Sequence, residues 1–277
     1  MRVKNGRNTY SFYTKSMTEN AHERVMLESK LREAIKRDEF RVYYQPIINM
    51  NDHKVIGYEA LIRWIDIDGT TIYPDQFIYI IEQTGLIVDI GKVILEKVFI
   101  QAVRWKEMGL DYEKISVNIS AKQLKDPEFL SFIEILLNRT KCDPTWIEFE
   151  IIESFIIDDI KEAIKVLENI KEIGISISLD DFGTGYSSLS YLKRLPITKL
   201  KIDKSFIDDI PYDENDKIIT KTIINLANDM NLSVLAEGVE TKDQEEFLIE
   251  NGCDLAQGYF YDIPLSADEI NSRWECQ

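Results

Sequence analysis

From residue 115 to its C-terminus the chain alternates short apolar stretches that read as strands with longer amphipathic stretches that read as helices. ISVNIS (115–120) precedes a helix near 126–138, and WIEFEIIES (146–154) precedes a helix over 159–173 that Gly174 ends. ISISLDD (175–181) leads to a short helix near 187–194, and TKLKIDKSF (198–206) to a helix over 214–230. LSVLAEGVE (232–240) leads to a helix over 242–250; CDLAQGYF (253–260) closes the series, with a last helix near 267–274. Strand followed by helix, repeated this often, implies parallel strands joined by right-handed crossovers. Upstream, a helix is expected over 19–38, with Leu27, Leu31, Ala34 and Ile35 as its apolar stripe. A strand over 40–44, a turn at Asn51-Asp52 and a returning strand VIGYEALIRW (55–64) predict an antiparallel pair. Helices over 75–83 and 86–108 follow, parted by Gly85. With about eight strands, closure into a barrel leaves no exposed edge. An open doubly wound sheet is the alternative, but no Gly-x-Gly-x-x-Gly follows a first strand to support it.

Seven successive strands carry a polar or ionisable group inside an otherwise apolar run. These are Glu59, Asn118, Glu150 with Glu153 beyond it, Asp180 and Asp181, Lys201, Glu237, and Gln257. In a barrel, helices cover the outer face of every strand, so such groups point into the mouth or are buried at a cost of several kcal/mol. Other adjacent aspartates have plainer explanations. Asp158-Asp159 precedes a helical pattern, where carboxylates suit the helix dipole, and Asp208-Asp209 precedes a proline and a polar loop.

Five acids and an amide form an oxygen-only set, and with only His22 and His53 in the chain a zinc site of the His/Cys type is not expected. Oxygen ligands suit hard cations, Mg²⁺ or Mn²⁺. Two such ions, bridged by Asp180, would offset the repulsion among the acids. Ions ~3.5–4 Å apart clamp the attacking and leaving oxygens of a phosphoryl displacement, with Lys201 placed to orient or help deprotonate the attacking water. The formal charge of −16 argues against a nucleic-acid polymer as partner and leaves a small anion held through metal. Three scattered cysteines, Cys142, Cys253 and Cys276, fit a reducing cytosol. No apolar run approaches the ~20 residues of a membrane span and no signal-peptide pattern opens the chain, so a cytoplasmic location without membrane contact by this segment is expected, with membrane anchoring of the longer protein left open.

At this point the motifs can be taken together: YQPI (44–47), EALIRW (59–64), VNIS (117–120), FEIIES (149–154), LDDFGTGYSSL (179–189), KIDKSF (201–206), AEGVE (236–240) and QGYF (257–260). In this order the chain closely resembles the EAL-domain cyclic di-GMP phosphodiesterases, from about residue 40 to the C-terminus. The resemblance implies a TIM-type (β/α)8 barrel with an antiparallel first strand. It implies hydrolysis of cyclic di-GMP to linear pGpG with Mg²⁺ or Mn²⁺; Ca²⁺, less demanding of octahedral geometry, is expected to serve poorly. Glu59, Asn118, Glu150 and Asp180 match the family's first-metal ligands and Asp181 a second-metal ligand. Lys201 matches the residue that holds the nucleophilic water, and Glu237 and Gln257 match residues that complete the metal and water shell. Arg63 matches the arginine that grips a substrate phosphate, a role suited to its forked donors. Gln45, Leu61 and Asp203, within the same motifs, are the other expected substrate-binding positions. Glu153 matches the glutamate that anchors the loop after the double aspartate. Ile152 is a departure, because the family more often has Thr there.

The resemblance further implies a homodimer formed through the helical region after that loop. KNGRNTYSFYTKSM (4–17) resembles the closing strand of a GGDEF-type cyclase domain. Residues 1–17 are therefore expected to be the remnant of a preceding GGDEF-like domain, 18–38 a linker helix and 39–277 the EAL domain, within a longer signalling protein. Three other readings compete. An enolase-type Mg²⁺ barrel also uses acidic strand ends and a lysine, but has no need of Asp-Asp-Phe-Gly or Arg63. A glycoside hydrolase needs two carboxylates rather than five and an amide. A non-catalytic cyclic di-GMP receptor would bind without turnover; the intact acid set speaks against it, and a turnover assay separates the two.

Overall fold

The computed structural model describes residues 2–4, 10–12, 15–153, 155, 160–183 and 192–275, with side chains described between residues 25 and 273. Eight strands form a ring: β1 (Phe40–Asn49), β2 (Lys54–Ile65), β3 (Lys114–Asn118), β4 (Ile147–Ile152), β5 (Ser176–Phe182), β6 (Lys199–Ile202), β7 (Ser233–Ala236) and β8 (Leu255–Ala256). From β2 to β8 each strand lies parallel to the next. β1 closes the ring antiparallel to both β2 and β8. The expected TIM-type barrel with an antiparallel first strand is what forms.

The α-helices whose bounds lie within the described residues are α1 (Lys15–Lys36), α2 (Ile78–Thr84), α3 (Leu86–Glu107), α4 (Ala121–Leu124), α5 (Phe129–Thr140), α6 (Ile160–Ile173), α7 (Glu214–Asp229), α8 (Lys242–Glu250) and α9 (Ala267–Glu275). Several begin at side-chain caps that satisfy their orphan N–H groups. Asp213 accepts from the N–H groups of Asn215 and Asp216, and Thr241 forms a capping box with Gln244. The helix expected near 187–194 falls largely outside the described residues. The helix expected over 19–38 is α1, and its C-terminal half is no free spacer, since Leu31 and Ala34 are fully buried in the core. β1 runs five residues past the expected end at Tyr44, through Pro46, with a register shift at Ile47/Ile48. A proline removes only one ladder donor, and the long pairing with β2 carries the strand past it. The last barrel strand is shorter than expected, two residues at Leu255–Ala256.

Period-2 alternation divides the strands between two environments. Ile115, Val117, Ile147, Phe149, Ile151, Ile177, Leu179, Leu200 and Ile202 are buried on one face. α3 adds Ile90, Ile94, Val98, Ala102 and Trp105 to the same core. The other face turns inward and is polar, where barrels of this type usually stack branched apolar side chains. Its lower layer is an ion pair across β5: Lys199 Nζ lies 2.6 Å from Glu148 Oε1, which also accepts from Ser116 Oγ at 3.3 Å. The Glu148 side chain is fully buried and that of Lys199 is 12% exposed. Breaking one partner of such a pair strands the other charge, at about 3–5 kcal/mol. Lys199→Met is therefore expected to lower unfolding stability by about that amount in urea titration, while adding Glu148→Leu recovers most of the loss. A Lys199→Met loss below about 1 kcal/mol would mean the pair is solvated and adds little.

Candidate active site

The C-terminal ends of the parallel strands gather the inward polar groups around one lysine. Lys201 on β6 has no solvent exposure. Its Nζ lies 2.6 Å from Glu150 Oε2 on β4 and 2.6 Å from Glu237 Oε1 just after β7. Asp180 Oδ1 on β5 is 3.2 Å away and Glu59 Oε1 on β2 is 3.9 Å away. Asn118 Nδ2 on β3 donates to Glu59 Oε1 at 2.7 Å, and Gln257 Nε2 after β8 donates to Glu59 Oε2 at 2.5 Å. All seven strands singled out in the sequence thus deliver their polar group to one place.

A bulge answers how two neighbouring aspartates can serve one site. In a regular strand Asp180 and Asp181 would point to opposite faces. Here Leu179 pairs with Leu200 and Phe182 with Ile202, so both aspartates stand opposite Lys201 alone. Asp181 takes a left-handed conformation, φ +54°, which Asp tolerates better than most residues. Its N–H donates to Asp180 Oδ1 at 3.0 Å. The bulge re-aims the second carboxylate, and oxygens of Asp180, Asp181 and Glu237 come within 4.8 Å of one another.

Electrostatics follow from this crowding. Burial pushes the Glu150 carboxyl well above the usual range, and the neighbouring acids push it further against the pull of Lys201. Burial likewise raises Glu237 to about 8 and Asp181 to about 6, with Asp180 adding to both and Asp203 to Asp181. Burial alone would lower the Lys201 ammonium, but the four carboxylates around it hold its pKa well above the ordinary lysine value. One ammonium against five carboxylates leaves an excess of negative charge. Oxygen donors with that excess fit a hard divalent cation.

The remaining expected residues are placed around this centre. Gln45 accepts from Gln257 Nε2 at 3.0 Å and donates to the Asp262 carbonyl at 3.1 Å, so it braces the amide that holds Glu59. Gln45, Glu59, Leu61, Lys204, Glu237, Gln257 and Tyr259 line a groove of about 250 Å³ beside the acids. Gly258 makes this corner possible, because a Cβ there would lie 2.0 Å from the Val239 carbonyl oxygen. Asp203 caps the turn Lys204–Phe206 through Ser205 N–H at 3.1 Å, and its charge adds to the upward shift of Asp181. Arg63 lies higher on β2, against the rings of Tyr43 and Tyr73. Glu153 is buried past the end of β4, but the loop it was expected to anchor lies mostly outside the described residues. Ile152 pairs with Asp180 and lines an apolar cavity of about 310 Å³.

A family profile described as "EAL domain" matches residues 28–264. The chain belongs to the EAL domain family. This EAL domain is 42% identical over 261 residues to the signaling protein YkoW of Bacillus subtilis, covering 94% of the chain and 32% of YkoW. It is 39% identical over 265 residues to the bifunctional diguanylate cyclase/cyclic di-GMP phosphodiesterase MucR of Pseudomonas aeruginosa, covering 96% of the chain and 39% of MucR. The chain thus spans between about a third and two-fifths of the length of these curated relatives. Among solved structures it matches the PaMucR phosphodiesterase in its c-di-GMP complex with a TM-score of 0.85 and 39% identity, over 88% of this chain and 99% of that one. It also matches the EAL enzyme Bd1971 in its cAMP- and cyclic-di-GMP-bound form with a TM-score of 0.86 and 32% identity, over 93% and 70% of the two chains.

Proposed function

We propose that this EAL domain hydrolyses cyclic di-GMP to linear pGpG. The observation that carries the proposal is the convergence of Glu59, Asn118, Glu150, Asp180, Asp181, Lys201 and Glu237 at one mouth of the barrel. The names of MucR and of its c-di-GMP complex support the choice of substrate. Glu59, Asn118, Glu150, Asp180, Asp181 and Glu237 would hold Mg²⁺ or Mn²⁺, supplying charge neutralisation at the phosphoryl group and acidifying the attacking water. Lys201, with its Nζ among these acids, is the residue placed to orient or help deprotonate that water. Arg63 grips a substrate phosphate, and Leu61, Gln45 and Asp203 border the bound nucleotide. Gln257 and Asn118 hold both oxygens of Glu59 in place by donating to them.

The preceding GGDEF-like remnant (1–17), the linker (18–38), the pairing of two copies and a cytoplasmic location belong to the same proposal. Among the described residues no helix is long and apolar enough to cross a membrane. The test is to incubate the chain with cyclic di-GMP and Mn²⁺ and separate the products by chromatography. Appearance of pGpG is the expected result. Binding without pGpG would favour the receptor reading, and neither binding nor product would overturn both.

A further inference from the structure

Arg63 stands on β2 four residues beyond Glu59, held by neighbours that are not acids. Among the described residues it forms no ion pair, and its one hydrogen bond runs from Nη1 to its own neighbour's carbonyl, Ile62 O, at 2.8 Å. What holds it is aromatic. The guanidinium carbon lies 5.7 Å from the ring centroid of Tyr43 and 5.3 Å from that of Tyr73. Both distances fall within cation–π range.

Sheet register builds this arrangement from both sides. On one side Tyr43 stands opposite Leu61, which makes it the diagonal neighbour of Arg63. On the other side the short strand Thr71–Ile72 pairs antiparallel with β2, Ile72 opposite Trp64. Continuing that register by one residue brings Tyr73 opposite Arg63. Arg41 is directly opposite Arg63 on β1, and like charges so placed repel. Arg41 is drawn away by the carbonyls of Asp38 and Phe40 and by the Asp38 carboxylate at 3.6 Å.

We infer that Tyr43 and Tyr73 are positioning residues that flank the Arg63 guanidinium in place of a carboxylate and so keep its charge uncancelled for a substrate phosphate. The inference rests on the proposed binding of cyclic di-GMP. Ring faces are suited to this work in a way that carboxylates are not. A carboxylate partner would occupy the same N–H edges that a phosphate needs and would cancel the charge. An aromatic face engages the cation without using its donors. Tyr73 is 53% exposed, so its ring can be removed without opening the core.

The test combines affinity and rate. Cyclic di-GMP affinity is measured by calorimetry with Ca²⁺, and KM and kcat are measured with Mn²⁺. Tyr73→Ala is expected to weaken Kd and raise KM about three- to tenfold while kcat stays within about twofold. Tyr73→Phe, which keeps the ring and loses only the hydroxyl, is expected to behave as the parent. In an Arg63→Ala background, Tyr73→Ala is expected to add less than about twofold, because the ring acts through the arginine. Parental Kd and KM for Tyr73→Ala would overturn the inference. So would a Tyr73→Phe loss as large as that of Tyr73→Ala. Additive losses in the double variant would also overturn it, since they would mean that the ring touches the nucleotide itself. A parent that binds cyclic di-GMP without cutting it refutes the proposed hydrolysis but leaves the affinity test of the clamp intact; a parent that does not bind overturns both.

Discussion

Excess EDTA is expected to abolish hydrolysis of cyclic di-GMP by this domain, and Mn²⁺ or Mg²⁺ to restore it. The argument is one of charge. Five carboxylates converge on the strand ends, and among the described residues Lys201 is the single ammonium between them. A phosphodiester brought into that field would be repelled unless further positive charge accompanied it. The same crowding sets a pH dependence whose sign can be worked out. Asp181 is pushed up to about 6 and Glu237 to about 8, both by burial first and by Asp180 next. Below these values the carboxyls hold protons, and a divalent ion must displace those protons to bind. The Mn²⁺ midpoint for activation is therefore expected to fall as pH rises from about 6 to about 8.5, by up to tenfold per pH unit for each proton released. Titrating Mn²⁺ at several pH values reads this directly. Undiminished turnover in excess EDTA would refute the metal reading, and a midpoint flat across that range would mean the acids are already ionised.

The barrel was legible in the sequence because its parallel strands and covering helices leave a strict alternation. The site was legible for a related reason. A charged residue in a strand whose outer face is covered has only the mouth to point into, so Glu59, Glu150, Asp180, Lys201 and Glu237 stood out singly. What was not legible depended on backbone conformation. Period-2 reasoning sends Asp180 and Asp181 to opposite faces, and only the bulge opposite Lys201, with Asp181 left-handed, brings them together. The lower ion pair is harder to read, because a single polar group per strand already accounts for the mouth of the barrel. IEFEI (147–151) and KLKID (199–203) alternate polar and apolar throughout, which signals an inner face polar along its length, and Glu148 and Lys199 follow from that. α4, at four residues, is too short for helical periodicity to show, although Ser120 and Gln123 carry the spacing of the capping box that the structure contains. Gln45 shows a subtler gap. Its motif marks it for substrate, and tertiary structure adds a role in bracing Gln257 against Glu59.

Lys201→Met is expected to lower kcat by about 10²–10⁴ while leaving KM for cyclic di-GMP within a few fold. Methionine has nearly the reach of lysine and fills the same fully buried slot, so the change removes a charge and its donors more than it removes volume. The donors are what the reaction loses. Nζ lies 2.6 Å from both Glu150 and Glu237 and 3.2 Å from Asp180, a position from which it can donate to a water between those acids. The groups proposed to bind the nucleotide are different, chiefly Arg63 and the groove beside Gln45 and Leu61, so affinity is expected to survive. Stability supplies an independent check. Without Lys201 the four carboxylates around its site face one another with no internal cation, and the folded state should be much less stable in EDTA than the parent. A divalent ion that binds only the folded state offsets that loss by mass action, so the Tm gap between variant and parent should narrow in millimolar Mn²⁺. Single-turnover kinetics and thermal unfolding with and without Mn²⁺ measure both effects. A variant that keeps its rate at saturation but binds cyclic di-GMP weakly would move Lys201 from the water step to substrate binding.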